Sequence, residues 1–231
     1  MAKYLIVNAD DYGMCNAANT AVAELFEGGF LKSATIMMPC PTAKDAVQFS
    51  IDHPEYAIGV HLTMTSEWGE YRWKPLTNGK TLIDEEGFMW HESDQVEKNA
   101  SYEDLEAEIR AQIDLAHSMG MKPSHTDNHM GSLYGHYTGR LGLAKMTLRV
   151  CGEYGYAYRL YTKHDKESAP TARPTSFMLQ SHCFQSAGAR NTMLLSPITF
   201  FSPIGMTICV KAMKNTERPF SKSGLIFPRT A

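Results

Sequence analysis

Short apolar runs alternate with amphipathic segments along the first 160 residues, and this alternation restricts the folds that the chain can adopt. The runs at 4–7, 34–38 and 58–62 have the length of buried strands, and each is followed by polar residues. Apolar residues at helical spacing follow the first two runs and recur at 102–119 and 140–151. Strands and helices that alternate in this way build parallel sheets. The pattern therefore predicts an α/β fold.

Composition places the chain among globular proteins. Its 231 residues are 43% apolar and 20% charged, which is enough for a sizeable core and unlike a disordered chain. The formal net charge of -3 gives no reason to expect a nucleic acid or a membrane as a partner. Five scattered cysteines predict free thiols, and the first residues lack the apolar core of a signal peptide. We therefore expect a cytoplasmic protein.

The last third of the chain differs from the rest. Residues 166–231 hold eight basic and two acidic residues, are rich in Ser, Thr and Pro, and lose helical periodicity. Prolines and hydroxyls in the apolar stretch 193–210 argue against a membrane-spanning helix. We expect a β/α region at 1–165 and a divergent basic region at 166–231. For the latter, an ordinary folded end, an irregular tail and an altered end all remain open.

Two adjacent carboxylates, Asp10 and Asp11, directly follow the first strand. Buried carboxylates are costly unless they are paired or bind a cation. In α/β folds, ligands bind at the carboxyl ends of the parallel strands. The pair taken alone also fits an acidic helix cap at the surface, which is the commoner use of such residues.

Histidines end the third run and fill the next candidate strand. His61 lies where a histidine is either a metal ligand or a hydrogen-bonded structural residue. His125, Asp127 and His129 alternate, so that on an extended chain all three face one way. This pattern suits the ligands of a divalent ion, or Asp127 and His129 instead orient ligands from behind. A polar loop is the alternative.

These residues converge if the fold is a parallel sheet or barrel, because the carboxyl ends of its strands lie on one face. Asp11, His61 and His125 would then form a metal site with positions open to water, as catalytic sites need. Asp10 would stand beside them as the general base. By ligand type, two imidazoles and one carboxylate suit Zn²⁺ or another transition ion, whereas Mg²⁺ prefers oxygen.

Aromatic side chains gather in the irregular stretch 65–99. Trp68, Trp73 and Trp90 are candidates for stacking on sugar rings, although such residues serve as often to pack a loop. The sequence contains no glycine-rich phosphate loop and no Gly-x-Ser-x-Gly elbow. This argues against nucleotide binding and against serine hydrolase chemistry.

Three segments, Asn8–Gly13, Gly59–Leu62 and Ser124–His129, resemble in order and spacing the YdjC-like carbohydrate deacetylases, which include chitooligosaccharide deacetylase. The resemblance covers about residues 1–160 and implies that the β/α region is a catalytic, (β/α)-barrel-like fold. It also implies a homodimer and a divalent metal, usually Mg²⁺. The implied reaction is removal of an N-acetyl group from an acetylated sugar, for example N-acetylglucosamine in chitin oligomers.

Carried over by motif, Asp11, His61 and His125 match the metal ligands of the family, and Asp10 matches its general base. After residue 160 nothing matches the family's late His-Pro-Gly-type segment, whose histidine is thought to act as the acid. Two alternatives to an active deacetylase stay open. One is a sugar-binding protein without activity, and the other is a metal-dependent phosphoesterase on a similar barrel.

Overall fold

The computed structural model describes residues 4–160, 198–199 and 206–211. Four parallel strands come from the first part of the chain: β1 (Tyr4–Tyr12), β2 (Ser33–Ile36), β3 (Ala57–Leu62) and β4 (Thr126–Asn128). Together with their helices they form a curled half-barrel. The predicted α/β, barrel-like fold class is therefore confirmed.

Five helices lie in the described part of the chain: α1 (Asn16–Glu27), α2 (Ala43–Asp52), α3 (Ser93–Asn99), α4 (Tyr102–Ser118) and α5 (Gly142–Glu153). Single 3₁₀ turns cover Lys80–Leu82 and His129–Gly131. All but α3 lie close to the predicted helices, because an apolar stripe recurs along each of them.

Polar side chains near the helix starts hold the turn that follows β1. Asn16 is the first residue of α1, and Asn19 Oδ1 accepts a hydrogen bond from Gly13 N at 2.8 Å. Thr42 does not cap α2 with its side chain but donates to the carbonyl of Gly13, also at 2.8 Å. Ser101 caps α4: its side chain accepts a hydrogen bond from the backbone N–H three residues later at 3.1 Å. The turn beside the acidic pair is thus fixed from two helices.

The core lies between the parallel strands and the helices that cover them. Ile36, Val60 and Leu62 are fully buried strand residues, and Ile109 and Ile113 of α4 belong to the same cluster. Burying a side chain of this size contributes about 1.5–3 kcal/mol. This packing fixes the register of the strands whose carboxyl ends carry the polar residues.

Buried charged side chains hold the stretch between β3 and α3, which we call the 63–92 loop, in place. Glu108 of α4 is fully buried and accepts a hydrogen bond from Leu76 N at 3.0 Å. Arg72 Nη2 lies 2.7 Å from Asp84 Oδ2, inside the loop itself. Such buried, hydrogen-bonded charges hold a segment in one conformation because removing either partner is costly.

Two antiparallel strands extend the sheet beside β1. β6 (Met206–Lys211) pairs with β1, and β5 (Ile198–Thr199) pairs with β6, so the strand order is β4-β3-β2-β1-β6-β5. Both strands belong to the predicted region 166–231, whose remaining residues lie outside the described ranges. None of the helices within the described ranges combines the length and hydrophobicity that crossing a bilayer requires.

Candidate metal centre

An irregularity in β1 brings two neighbouring carboxylates to one place. The pairing of β1 with β2 shifts its register between Ala9 and Tyr12, and Asp11 has a φ of 60°. On a regular strand, Asp10 and Asp11 would point to opposite faces of the sheet. Aspartate tolerates a positive φ better than most residues do. As a result, each carboxylate joins a cluster that includes His61.

The first cluster consists of Asp11, His61 and His129. One oxygen, Asp11 Oδ1, lies 3.2 Å from His61 Nε2 and 3.0 Å from His129 Nδ1. The two imidazole rings are nearly perpendicular, with centroids 5.4 Å apart and planes at 72°. Both histidines are buried, and the three donor atoms lie within 4.8 Å of one another. This donor set fits a single divalent cation.

The second cluster consists of Asp10, His61 and Asp127. It uses the other side of the His61 ring, whose Nδ1 lies 2.5 Å from Asp127 Oδ1. Arg159 Nη2 lies 2.8 Å from Asp10 Oδ1 and 2.5 Å from Asp127 Oδ2. The guanidinium already supplies the positive charge between these carboxylates. The first cluster is therefore the better candidate for a metal ion.

Charges within the site shift the pKa values of its groups. Burial alone would raise the pKa of Asp11, but hydrogen bonds from His129 and His61 hold it well below its ordinary value. Burial alone would lower the pKa of His61, but Asp127 and Asp11 raise it to about 10. Arg159 and His61 keep the pKa of Asp127 low against the effect of its burial. A metal ion would thus take the place of protons on the histidines.

A carboxylate stands behind each histidine of the first cluster. Asp127 contacts Nδ1 of His61 and also accepts a hydrogen bond from Thr35 Oγ1 at 3.0 Å. Glu67 Oε2 lies 3.0 Å from His129 Nε2. In metal sites, carboxylates in this position fix the tautomer of the ring and raise its basicity. That Asp127 orients His61 stays a prediction.

The structure brings together Asp11 and His61 as predicted but places His129 third in the cluster. In the β3–β4 pairing His61 is level with Asp127, so His129 lies beyond that level and His125 lies before it. His125 belongs to neither of the two clusters, and its Nδ1 lies 2.8 Å from the hydroxyl of its neighbour Ser124. Burial lowers the pKa of His125.

Sequence reasoning did not single out Glu67 or Arg159. Glu67 lies in the 63–92 loop, where no periodicity marks a position as buried or facing the site. Arg159 follows Tyr158, which forms a parallel bridge with Thr126 and so continues the sheet beyond β4. The rule that polar residues at strand ends point to the site could have found Arg159, because it directly follows the apolar residues 156–158.

The three tryptophans have different surroundings. Trp73 is 3% exposed, its Nε1 donates to a backbone carbonyl at 2.7 Å, and its ring packs against His129 with centroids 6.3 Å apart. Trp90 is half-buried and donates to a backbone carbonyl at 2.9 Å. Trp68 is 49% exposed. Of the three, Trp68 presents the most open ring to a sugar, and that role stays a prediction.

Comparison with known proteins decides the family. The model of the family of YdjC-like proteins matches residues 4–218. The chain belongs to the YdjC-like family. The match continues past residue 160, so the YdjC-like region includes much of the predicted basic region, where the motifs alone showed no resemblance.

Several YdjC-like relatives carry names that describe an activity. A carbohydrate deacetylase of Geobacillus stearothermophilus is 34% identical over 129 residues, which are 56% of this chain and 50% of that protein. A chitooligosaccharide deacetylase of Yersinia enterocolitica is 33% identical over 134 residues, again 56% and 50%. The chain therefore spans about half the length of the curated relatives it matches.

One solved structure has the same architecture as this YdjC-like chain. It is the crystal structure of an Enterococcus faecalis V583 protein described as a cellobiose-phosphate cleavage protein. The TM-score is 0.59 at 29% sequence identity, and the match covers 70% of this chain and 60% of that chain.

Proposed function

We propose that this protein is a metal-dependent hydrolase that removes an N-acetyl group from an acetylated carbohydrate. The observation that carries the proposal is the cluster of Asp11, His61 and His129 at the carboxyl ends of β1, β3 and β4. The names of the relatives, carbohydrate deacetylase and chitooligosaccharide deacetylase, support the substrate class. Chitin oligomers of N-acetylglucosamine are the substrates to test first.

Asp11, His61 and His129 are the proposed ligands, and their donor atoms fit one divalent ion. A bound divalent cation supplies Lewis acidity, which polarises an amide carbonyl and lowers the pKa of water. Two nitrogens and one oxygen favour Zn²⁺ or another transition ion by donor type. Mg²⁺, which the family resemblance implies, is kept as a candidate that would need further oxygen ligands from water.

Asp10 is the proposed general base. Its Oδ1 accepts hydrogen bonds from Arg159 Nη2 at 2.8 Å and from Asn8 Nδ2 at 2.6 Å, which hold the carboxylate in one orientation. Asp10 is also the sequence neighbour of the proposed ligand Asp11. A carboxylate fixed at this point is suited to take a proton from an attacking water molecule.

The position of Arg159 bears on the phosphoesterase alternative. Many such enzymes bind two metal ions about 3.5–4 Å apart. Here a second ion would have to displace the guanidinium that lies between Asp10 and Asp127. The arrangement therefore favours a single metal ion and the deacetylase proposal.

The location and the oligomeric state of the protein are proposed on other grounds than the site. A cytoplasmic location is proposed from the cysteines, of which Cys15, Cys40 and Cys151 are free thiols in the described ranges. A homodimer is proposed from the family resemblance alone.

The test is acetate release from diacetylchitobiose by the full chain, with Mg²⁺ or Zn²⁺ added and with a chelator. We expect release that the chelator stops, and we expect Asp10→Asn to lower turnover by roughly 10²–10⁴-fold. Glu55→Gln is the control, because Glu55 is exposed and pairs only with its neighbour His53 among the described ion pairs. It should not change the rate. Binding of the sugar without turnover would favour a sugar-binding protein, and phosphate release at two metal ions per chain would favour a phosphoesterase.

A further inference from the structure

Glu67 connects the 63–92 loop to the proposed metal centre. Its Oε2 lies 3.0 Å from His129 Nε2, with 23% of the Glu67 side chain and 4% of the His129 side chain exposed. The other ring nitrogen of His129, Nδ1, faces Asp11 Oδ1 at 3.0 Å. One ring therefore has a carboxylate at each end, one from β1 and one from the loop.

The two contacts of His129 have different consequences. A neutral imidazole donates a proton from one nitrogen and offers a lone pair at the other. Donation from Nε2 to Glu67 leaves the lone pair at Nδ1, which is the nitrogen that faces Asp11. Because the ring is buried, water cannot easily replace Glu67 as the acceptor. Glu67 thus selects the tautomer that can bind a metal.

The backbone directly before Glu67 is held firmly. Ser66 N donates to the carbonyl of Trp90 at 2.8 Å, and Ser66 Oγ accepts from Trp73 N at 3.0 Å. Arg72 Nε donates to the carbonyl of Ser66 at 3.3 Å. A carboxylate on such a fixed backbone keeps its partner in place without first having to become ordered.

We propose that Glu67 is a positioning residue for the metal ligand His129. Through Glu67, the 63–92 loop helps to form the metal centre. This inference rests on the proposed function, since it takes His129 as a ligand. It differs from the role of Asp127, which shares its carboxylate with Thr35 and Arg159 as well as with His61. Glu67 should therefore be the carboxylate whose loss affects the metal more than the fold.

The experiment compares Glu67→Ala and Glu67→Gln with wild type and with Glu70→Gln, a change at an exposed position of the same loop. Affinities for Zn²⁺ and Co²⁺ are measured by competition with a chromophoric chelator, and the visible absorption of the Co²⁺ form reports the ligand geometry. We expect Glu67→Ala to weaken binding about 10–100-fold and to change the Co²⁺ spectrum. Glu67→Gln should lose less, because its amide oxygen can still accept from Nε2. Glu70→Gln should match wild type.

The outcomes separate this inference from the proposed function. If wild type binds and both Glu67 variants bind equally well with an unchanged Co²⁺ spectrum, Glu67 has no positioning role and the proposed metal centre still stands. If wild type itself binds neither ion, the metal centre falls and this inference falls with it. Glu67→Gln has nearly the shape of the native residue, so it keeps the test valid if Glu67→Ala fails to fold.

Discussion

His129 follows β4 directly, and this position sets its ring beside Asp11. Alternation along an extended chain puts His125, Asp127 and His129 on one side, as the sequence predicts, but does not say which of them is level with the other ligands. The pairing of β3 with β4 places His61 opposite Asp127, and this register decides which histidine lies near the other proposed ligands. His129 lies beyond that position and faces Asp11, whereas His125 lies before it.

Substitution of these two histidines distinguishes the candidate third ligands. His129→Ala should weaken Zn²⁺ binding by about 100-fold or more, because it removes a ligand and leaves Glu67 without its partner. His125→Ala should leave the affinity unchanged. Both are measured by competition with a chelator on folded protein. Loss of binding in His125→Ala with normal binding in His129→Ala would restore the sequence-based ligand set and remove His129 from it.

At the scale of elements, the approach of β3 to the segment before β4 determines whether the ligands meet. A Cβ at Gly59 would lie 2.4 Å from the backbone oxygen of His125, closer than real structures allow. That same oxygen accepts a hydrogen bond from Val60 N at 3.1 Å. Glycine is therefore needed here for close packing of two backbones, two residues before the proposed ligand His61.

Gly59→Ala should destabilise the protein by about 1–3 kcal/mol, because the two strand backbones must move apart. Gly69→Ala is the matched control, since nothing lies within 4 Å of a Cβ at Gly69. Urea denaturation of both variants gives the difference in free energy of unfolding. Equal stability of the two variants would show that the strands accommodate the methyl group.

The elements also show which features can be predicted from this sequence. The first three strands and four of the helices are predictable because apolar periodicity depends on local burial. The short helix α3 is not, because its buried residues include Ser93 and Glu97 beside a single apolar residue, Val96. The proximity of Asp11 and His61 can be predicted because both lie near the carboxyl ends of parallel strands. Glu67 and Arg159 depend on how a loop and a later segment pack, which no local pattern encodes.

At the scale of the molecule, the centre joins parts that are distant in sequence. Asp11 and His61 lie in two strands, His129 directly follows a third, and Glu67 lies in the 63–92 loop. In an unfolded chain these side chains are far apart, so a metal that binds them binds the folded state. Ligand binding of this kind raises the stability of the whole protein.

A divalent ion at 100 times its dissociation constant should stabilise the fold by about 2.7 kcal/mol. For a chain of this size that corresponds to a Tm higher by roughly 5–10 °C. Asp11→Asn should abolish the shift and keep the fold, because asparagine also tolerates positive φ. Asp94→Asn, at a surface ion pair, is the control. Differential scanning calorimetry with metal and with chelator measures both. A full shift in Asp11→Asn would contradict the proposed ligands.

The guanidinium of Arg159, between Asp10 and Asp127, separates two kinds of counter-ion in one site. One carboxylate of the adjacent pair is balanced by a cation that the chain itself carries, and the proposed partner of the other is a metal ion that can leave. Removing the exchangeable one therefore leaves the proposed base with its partner and its orientation. We expect the metal-depleted protein to be a dormant form that regains activity on resupply of the ion without refolding.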